Sequence, residues 1–200
     1  MARTARWPHA LTVLSMLVAS HALARAPLRP YTVVLGTAQD GGVPQAGCTK
    51  ACCAHGRHEL VSSLALVDPA TRRWWLFDAT PDMGAQLTMM RREAPACSLA
   101  GVFVTHAHFG HYTGLMQFGR EAMGTHDVPV WAMARMRDIP HPFIVESLER
   151  FARLPAAAHA RVRFIHLNHT NRAALRGSEE LKRIETAGSH VAVSGERVEL

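Results

Sequence analysis

The feature that most constrains this chain is a short apolar run, residues 99–105, that leads straight into Thr105-His106-Ala107-His108-Phe109-Gly110-His111. A run of this length and composition, ended by a polar loop, reads as a buried strand. Extended backbone points alternate side chains the same way, so His106 and His108 face one side. His111 follows after a bend and can close on the same point. Three imidazoles from one loop at a strand end make a floor for a transition metal. An ion held there with an open position lowers the pKa of a bound water to about 7 and polarises a substrate oxygen. The competing reading is three unrelated histidines near a turn. Their confinement to six residues behind an apolar strand, and just before Gly114, favours the metal.

The flanking pattern supplies layers for such a strand to sit in. Residues 31–35 are β-branched and apolar, and Gly36 ends them. Residues 62–67 and 73–77 form a hairpin around Asp68-Pro69-Ala70-Thr71. Pro81 suits the first turn of a helix running to about residue 92. Residues 113–123 and 141–154 read as helices, and 128–132 and 162–167 as strands. Ser178 followed by Glu179 and Glu180 is a capped, acid-first helix start. The end of the chain, around Gly195, reads as a hairpin. Strands come first and alternate with helices later, which predicts a layered α/β domain.

Composition narrows the partners. The 200 residues carry a formal charge of +6 and 13 histidines. Arg3 and Arg6 precede an apolar run, residues 10–19, and Ala22-Leu23-Ala24 resembles a small-residue cleavage site. Together these predict a secretory signal over 1–24, a periplasmic or secreted protein, and a single domain over 25–200. The run is too short for a membrane span, so no stable span is expected after cleavage. Cleavage would leave +4. The basic residues are scattered and no stripe of them carries aromatics, which excludes nucleic acid and leaves a small-molecule substrate.

The resemblance of the histidine segment is to the first metal motif of the metallo-β-lactamase superfamily, usually H-x-H-x-D-H. Leu35-Gly36-Thr37-Ala38-Gln39-Asp40-Gly41-Gly42-Val43-Pro44-Gln45 and the cysteines after it resemble the N-terminal region of coenzyme PQQ synthesis protein B and its exported relatives. So do Phe77-Asp78-Ala79-Thr80-Pro81-Asp82 and His108-Phe109-Gly110-His111-Tyr112-Thr113-Gly114-Leu115. His166-Leu167-Asn168-His169-Thr170-Asn171 resembles the late histidine motif of that group. The resemblance implies an αββα sandwich with metal at the sheet edges. It assigns His106 and His108 to one ion and directs His111 and His169 toward a second. Asp78 would close the hairpin strand beneath the site and Asp82 would lie nearby, neither with an assigned role. The implied ion is zinc, with iron as the alternative and one or two ions open.

Two departures stand against a standard site. The aspartate position of the motif is Gly110, which has no side chain to ligate a metal or accept a proton. The middle of the chain also looks shortened, so the sandwich is expected to be incomplete. His126, His141 and His159 match no motif and read as surface or capping residues.

Cys48, Cys52 and Cys53 crowd together, with His55 just after. Three thiolates and one imidazole suffice for a tetrahedral structural zinc, while disulfides are the competing reading in an exported protein. Family likeness favours the metal. Cys97 reads as a buried small residue. Trp74 and Trp75 should face opposite sides of a strand, and most of the methionines should fill the core. The Asp40-Gly41-Gly42 loop lacks the G-K-[ST] of a phosphate cradle. Its glycines more simply let it pass close to the metal site.

The function expected is a metal-dependent hydrolase acting on a small substrate. An oxygen-using step of the PQQ-synthesis kind is one alternative, and a non-catalytic metal-binding or degenerate relative is another.

Overall fold

The computed structural model describes residues 29–54, 56–132 and 144–200. The expected export signal, His55 and His141 lie outside the described residues. In chain order the elements are β1 (Tyr31–Gly36), α1 (Ala51–Ala54), β2 (Ser63–Asp68), β3 (Arg73–Phe77), α2 (Met83–Glu93), β4 (Ser98–Val104) and α3 (Phe109–Tyr112). A 3-10 turn (Thr113–Phe118) follows, then β5 (Val130–Ala132), α4 (Ile144–Phe151), α5 (Ala156–His159) and β6 (Arg163–Phe164). A second 3-10 turn (Arg172–Ala174) leads to α6 (Glu179–Thr186), β7 (His190–Val191) and β8 (Arg197–Glu199).

The main sheet has six strands in the order β5-β4-β3-β2-β1-β8. β3, β4 and β5 run parallel, and the other pairs are antiparallel. Period-two alternation builds its inner face. Ala65 pairs with Leu76 and Val67 with Trp74, and all four are buried. Trp75 turns to the other face and is half-buried, as alternation requires. Asp68 closes the β2–β3 turn by accepting the backbone N–H groups of Ala70 at 3.0 Å and Thr71 at 3.4 Å.

Helix α2 covers that inner face. Met83, Gln86 and Met90 are its buried residues, spaced at helical intervals, and both methionines join a cluster with Leu35, Leu76 and Val102. Burying each methionine contributes roughly 1.5–3 kcal/mol. Gln86 is tolerated there because its amide donates to Val61 O at 2.8 Å and its oxygen accepts the Thr80 hydroxyl at 2.8 Å. Near the other end, Ser178 caps α6 by accepting the Leu181 N–H at 3.1 Å, and α6 packs against β7. The result is a central sheet flanked by helices. Among the described residues the second sheet of the αββα plan is only β6 and β7, each two residues long. No helix among them is long and apolar enough to cross a membrane.

Several sequence expectations are corrected by tertiary contacts. Residues 113–123 form a 3-10 turn and bends rather than one helix. Ala79 N–H donates to His111 O at 2.9 Å and Gly114 N–H to Ala79 O at 2.8 Å, which pins the segment to the loop after β3. The strand expected over 162–167 stops at Phe164, because His166 is left-handed at φ 65°. The terminal hairpin does not form either: β7 pairs with β6, and β8 with β1. Gly195 N–H donates to Val34 O at 2.7 Å, drawing the chain onto the edge of β1. His159 is buried beside Ser189 Oγ at 3.1 Å rather than on the surface. Cys97 is only half-buried, and Met116 and Met123 are exposed.

One glycine governs how the fold presents its rim. At Gly36 a Cβ would lie 2.1 Å from Val61 O and 2.6 Å from Leu60 O, so only glycine lets β1 end this close to residues 60–61. Thr37 and Ala38 then both donate to Leu60 O at 3.0 Å. Ala38 bridges Val61 on one side and Leu167 on the other. Residues 37–39 are thereby clamped between two segments, and Asp40 leaves the clamp at the rim where β3 and β4 also end.

Candidate metal centre

The chain leaves β3 through Asp78, which is left-handed at φ 68° and buried. That conformation costs an L-residue roughly 1–2 kcal/mol, and here it turns the carboxylate under the loop after β4. Asp78 Oδ1 accepts the Thr105 N–H at 2.7 Å, and both its oxygens lie 2.9 Å from Thr105 Oγ1. Asp78 Oδ2 also lies 2.8 Å from His111 Nδ1, an ion-pair contact short of a well-aligned hydrogen bond. A carboxylate against Nδ1 favours a proton there and turns Nε2 away as a free ligand atom.

Around this brace the imidazoles gather. His106 and His111 are buried, with ring centroids 3.9 Å apart. His106 Nε2 lies 3.1 Å from His108 Nδ1, and His108 is the more exposed of the three. The structure brings a fourth ring to the group, His166, its centroid 5.0 Å from that of His111. It also brings Asp40, whose Oδ1 lies 3.0 Å from His111 Nε2 and 4.0 Å from His166 Nε2. Asp40 Oδ2 lies 3.6 Å from His108 Nδ1. The ligand atoms of Asp40, His111 and His166 all fall within 4.8 Å of one another, a spread a single cation can span.

The electrostatics agree with this chemistry. Asp40 Oδ1 and His111 Nε2 are buried without a hydrogen-bond partner, the mark of groups that an ion would satisfy. Burial pulls the His111 imidazole down, but the Asp78 carboxylate against Nδ1, joined by Asp40, outweighs it and raises its pKa. The residues present therefore fit a transition metal of the zinc or iron class.

A second group lies nearby. Cys48, Cys52, Cys53 and His169 place their ligand atoms within 4.8 Å of one another. All four cysteines of the chain are free thiols, not disulfides. A hydrogen bond from Cys53 holds the Cys48 pKa below its ordinary value and leaves that of Cys53 above its own, so Cys48 gives up its proton before Cys53.

His106, His108 and His111 are thus together where the spacing put them. His169 is not with them: its ligand atom joins the thiols, and His166 stands beside His111 instead. The reason is the left-handed backbone at His166, which breaks the strand alternation and turns that ring toward the rim. Asp40 and His166 are the two members that sequence reasoning missed as ligands. Their signals were an acid directly after a strand and before Gly41-Gly42, and a histidine three residues ahead of the one chosen. Asp82 caps the segment at Val61, whose N–H it accepts at 2.8 Å, and takes no part in the histidine group. A cleft of about 470 Å³ opens between the 40–46 loop, Pro81 and Phe109; Asp40 is the one member of the histidine group that lines it. Phe109, 52% exposed, stands at its edge.

Comparison with known proteins fits this geometry. No curated protein sequence matches the chain. Among solved structures it is similar to a diphosphatase from the PhnP family, with a TM-score of 0.61 and 18% identity, over 86% of this chain and 98% of that one. It is similar also to zinc-bound PqqB from Methylobacterium extorquens, with a TM-score of 0.61 and 17% identity, over 85% of this chain and 100% of that one. Residues 73–198 match the family described as the beta-lactamase superfamily domain. That match spans more than half of the chain and includes the β3–β4 frame, the histidine loop and His166, so the chain belongs to the metallo-β-lactamase superfamily.

Proposed function

We propose that the protein is a metal-dependent hydrolase acting on a small substrate at the His106–His108–His111–His166 cluster. The observation that carries this is the pair of buried ligand atoms, Asp40 Oδ1 and His111 Nε2, which lie 3.0 Å apart among imidazoles with no well-aligned hydrogen bond on either. A bound zinc ion would supply a water of lowered pKa and polarise a substrate oxygen. The chain's own residues do the rest. Asp78, anchored by Thr105, fixes the tautomer and tilt of His111. The part-exposed His108 is where the cluster meets solvent. Phe109 offers an aromatic edge to whatever enters the cleft. The diphosphatase activity of the PhnP-family neighbour makes diphosphates the first substrate class to try.

Cys48, Cys52, Cys53 and His169 are proposed as a closed structural zinc site, with His169 in the place first given to His55. Four N/S ligands leave no open position, as structural sites require. The export reading of the N-terminus puts the mature protein in the periplasm or outside the cell. That disfavours the alternative of an oxygen-using step in cofactor assembly.

The test is metal analysis of the purified full chain together with turnover of a diphosphate and a lactone. We expect zinc at both groups. Changing His106 and His108 together to alanine should abolish turnover and leave about one zinc per chain, that of the thiol group. Zinc at the histidine group with no turnover on either substrate would favour the non-catalytic binding reading. A wild-type chain with zinc only at the thiols would leave a degenerate relative.

A further inference from the structure

We propose that Asp40, carried in on the loop after β1, is the metal-ligating carboxylate that the H-x-H-x-x-H motif lacks at Gly110. This deepens the reading above and rests on it.

The first observation is a collision. A Cβ on Gly110 would lie 2.6 Å from Asp40 Cα, 2.6 Å from Asp40 Oδ1 and 2.8 Å from Asp40 Cβ. The space that a side chain at 110 would fill is already filled by Asp40. Gly110 sits inside α3 and is not among the glycines with positive φ, so its backbone does not demand glycine. What demands glycine is residue 40 standing opposite, its Cα and Cβ as well as its carboxylate.

The second observation is where the carboxylate points. Oδ1 faces His111 and His166, and Oδ2 faces His108. One anion thus addresses both ends of the imidazole cluster. Oδ1 is also buried and makes no well-aligned hydrogen bond; it faces His111 Nε2 at 3.0 Å, an arrangement that suits two ligands of one cation.

The third observation is delivery. Residues 37–39 are held by Leu60 on one side and Leu167 on the other, so the position of Asp40 is rigid. Gly42 N–H then donates to Gln39 O at 2.7 Å, with Gly42 at φ +65°, and the chain turns away once the carboxylate is placed. Sequence and geometry together describe an exchange: the motif gave up its acid, and a segment some seventy residues earlier supplies one to the same spot. The Gly110 departure is then no sign of decay.

The experiment uses the full chain with zinc and, separately, cobalt(II), measuring zinc affinity at the histidine group by chelator competition and its cobalt absorption. The variants are Asp40→Asn, Asp40→Ala and Gly110→Asp. Each single change at Asp40 should weaken zinc at the histidine group about 100-fold or more, beyond the effect of outer-shell changes. Gly110→Asp should also lose binding, by collision. The isosteric Asp40→Asn should lose the wild-type cobalt bands as well, since the ion then lacks its anionic ligand. Wild-type affinity or wild-type cobalt bands in Asp40→Asn would overturn the proposal. A wild-type chain that holds no ion at the histidines fails differently, since it removes the functional reading itself.

Discussion

Two groups of candidate ligand residues in this protein share two loops yet are made differently, the first drawing also on the loop after β4 and the second on α1. Asp40 and His166 serve one, and Cys48 and His169, a few residues further along each loop, serve the other. The histidine group is largely buried and braced from outside by Asp78 and Thr105, which touch no solvent-facing ligand. The thiol group is half-buried and braced by its own members, thiol to thiol. Outer carboxylates that orient imidazoles and leave one ring exposed are what a reactive ion needs. A self-contained set of four ligands is what a loop needs to be stapled. On the reading proposed above, one pair of loops would carry both a staple and a reaction centre, the staple holding the segments that feed the other.

The comparison breaks most sharply on a pair of exchanges. His166→Ala should empty the histidine group while the thiols keep their zinc. His169→Ala should do the reverse and lower Tm by about 5 °C through lost ligand linkage. Metal counts and melting curves on both variants decide it, and identical losses would mean the two groups are one. Next in size is Asp78→Asn. It should weaken zinc at the histidine group by about 10–100-fold, measured by chelator competition, and leave zinc at the thiols unchanged. Phe109→Ala should raise KM about fivefold through loss of roughly 1 kcal/mol of contact, without changing metal content. Smallest is His126→Ala. This ring is almost fully exposed beside Asp127, so metal content, Tm and turnover should all stay at wild-type values.

Much of this was legible in advance because it is local. The β2–β3 hairpin, the strand feeding His106, the stripe on α2 and the Ser178 cap each follow from periodicity or turn chemistry over a few residues. The 113–123 segment misled because long-range backbone bonds to Ala79 overrule its helical pattern. The end of the chain misled because two neighbouring strands chose different partners, and a turn signal at Gly195 cannot say which edge is open.

By itself the sequence determined which elements form and that His106, His108 and His111 share one strand end, since strand alternation and a single bend suffice for that. Only the tertiary structure decided that Asp40 fills the gap at Gly110, and that His166 rather than His169 completes the cluster. Both depend on where separate segments meet. The clamp on residues 37–39 and the left-handed turn at His166 are set by contacts between distant parts of the chain, and no local pattern encodes such a meeting.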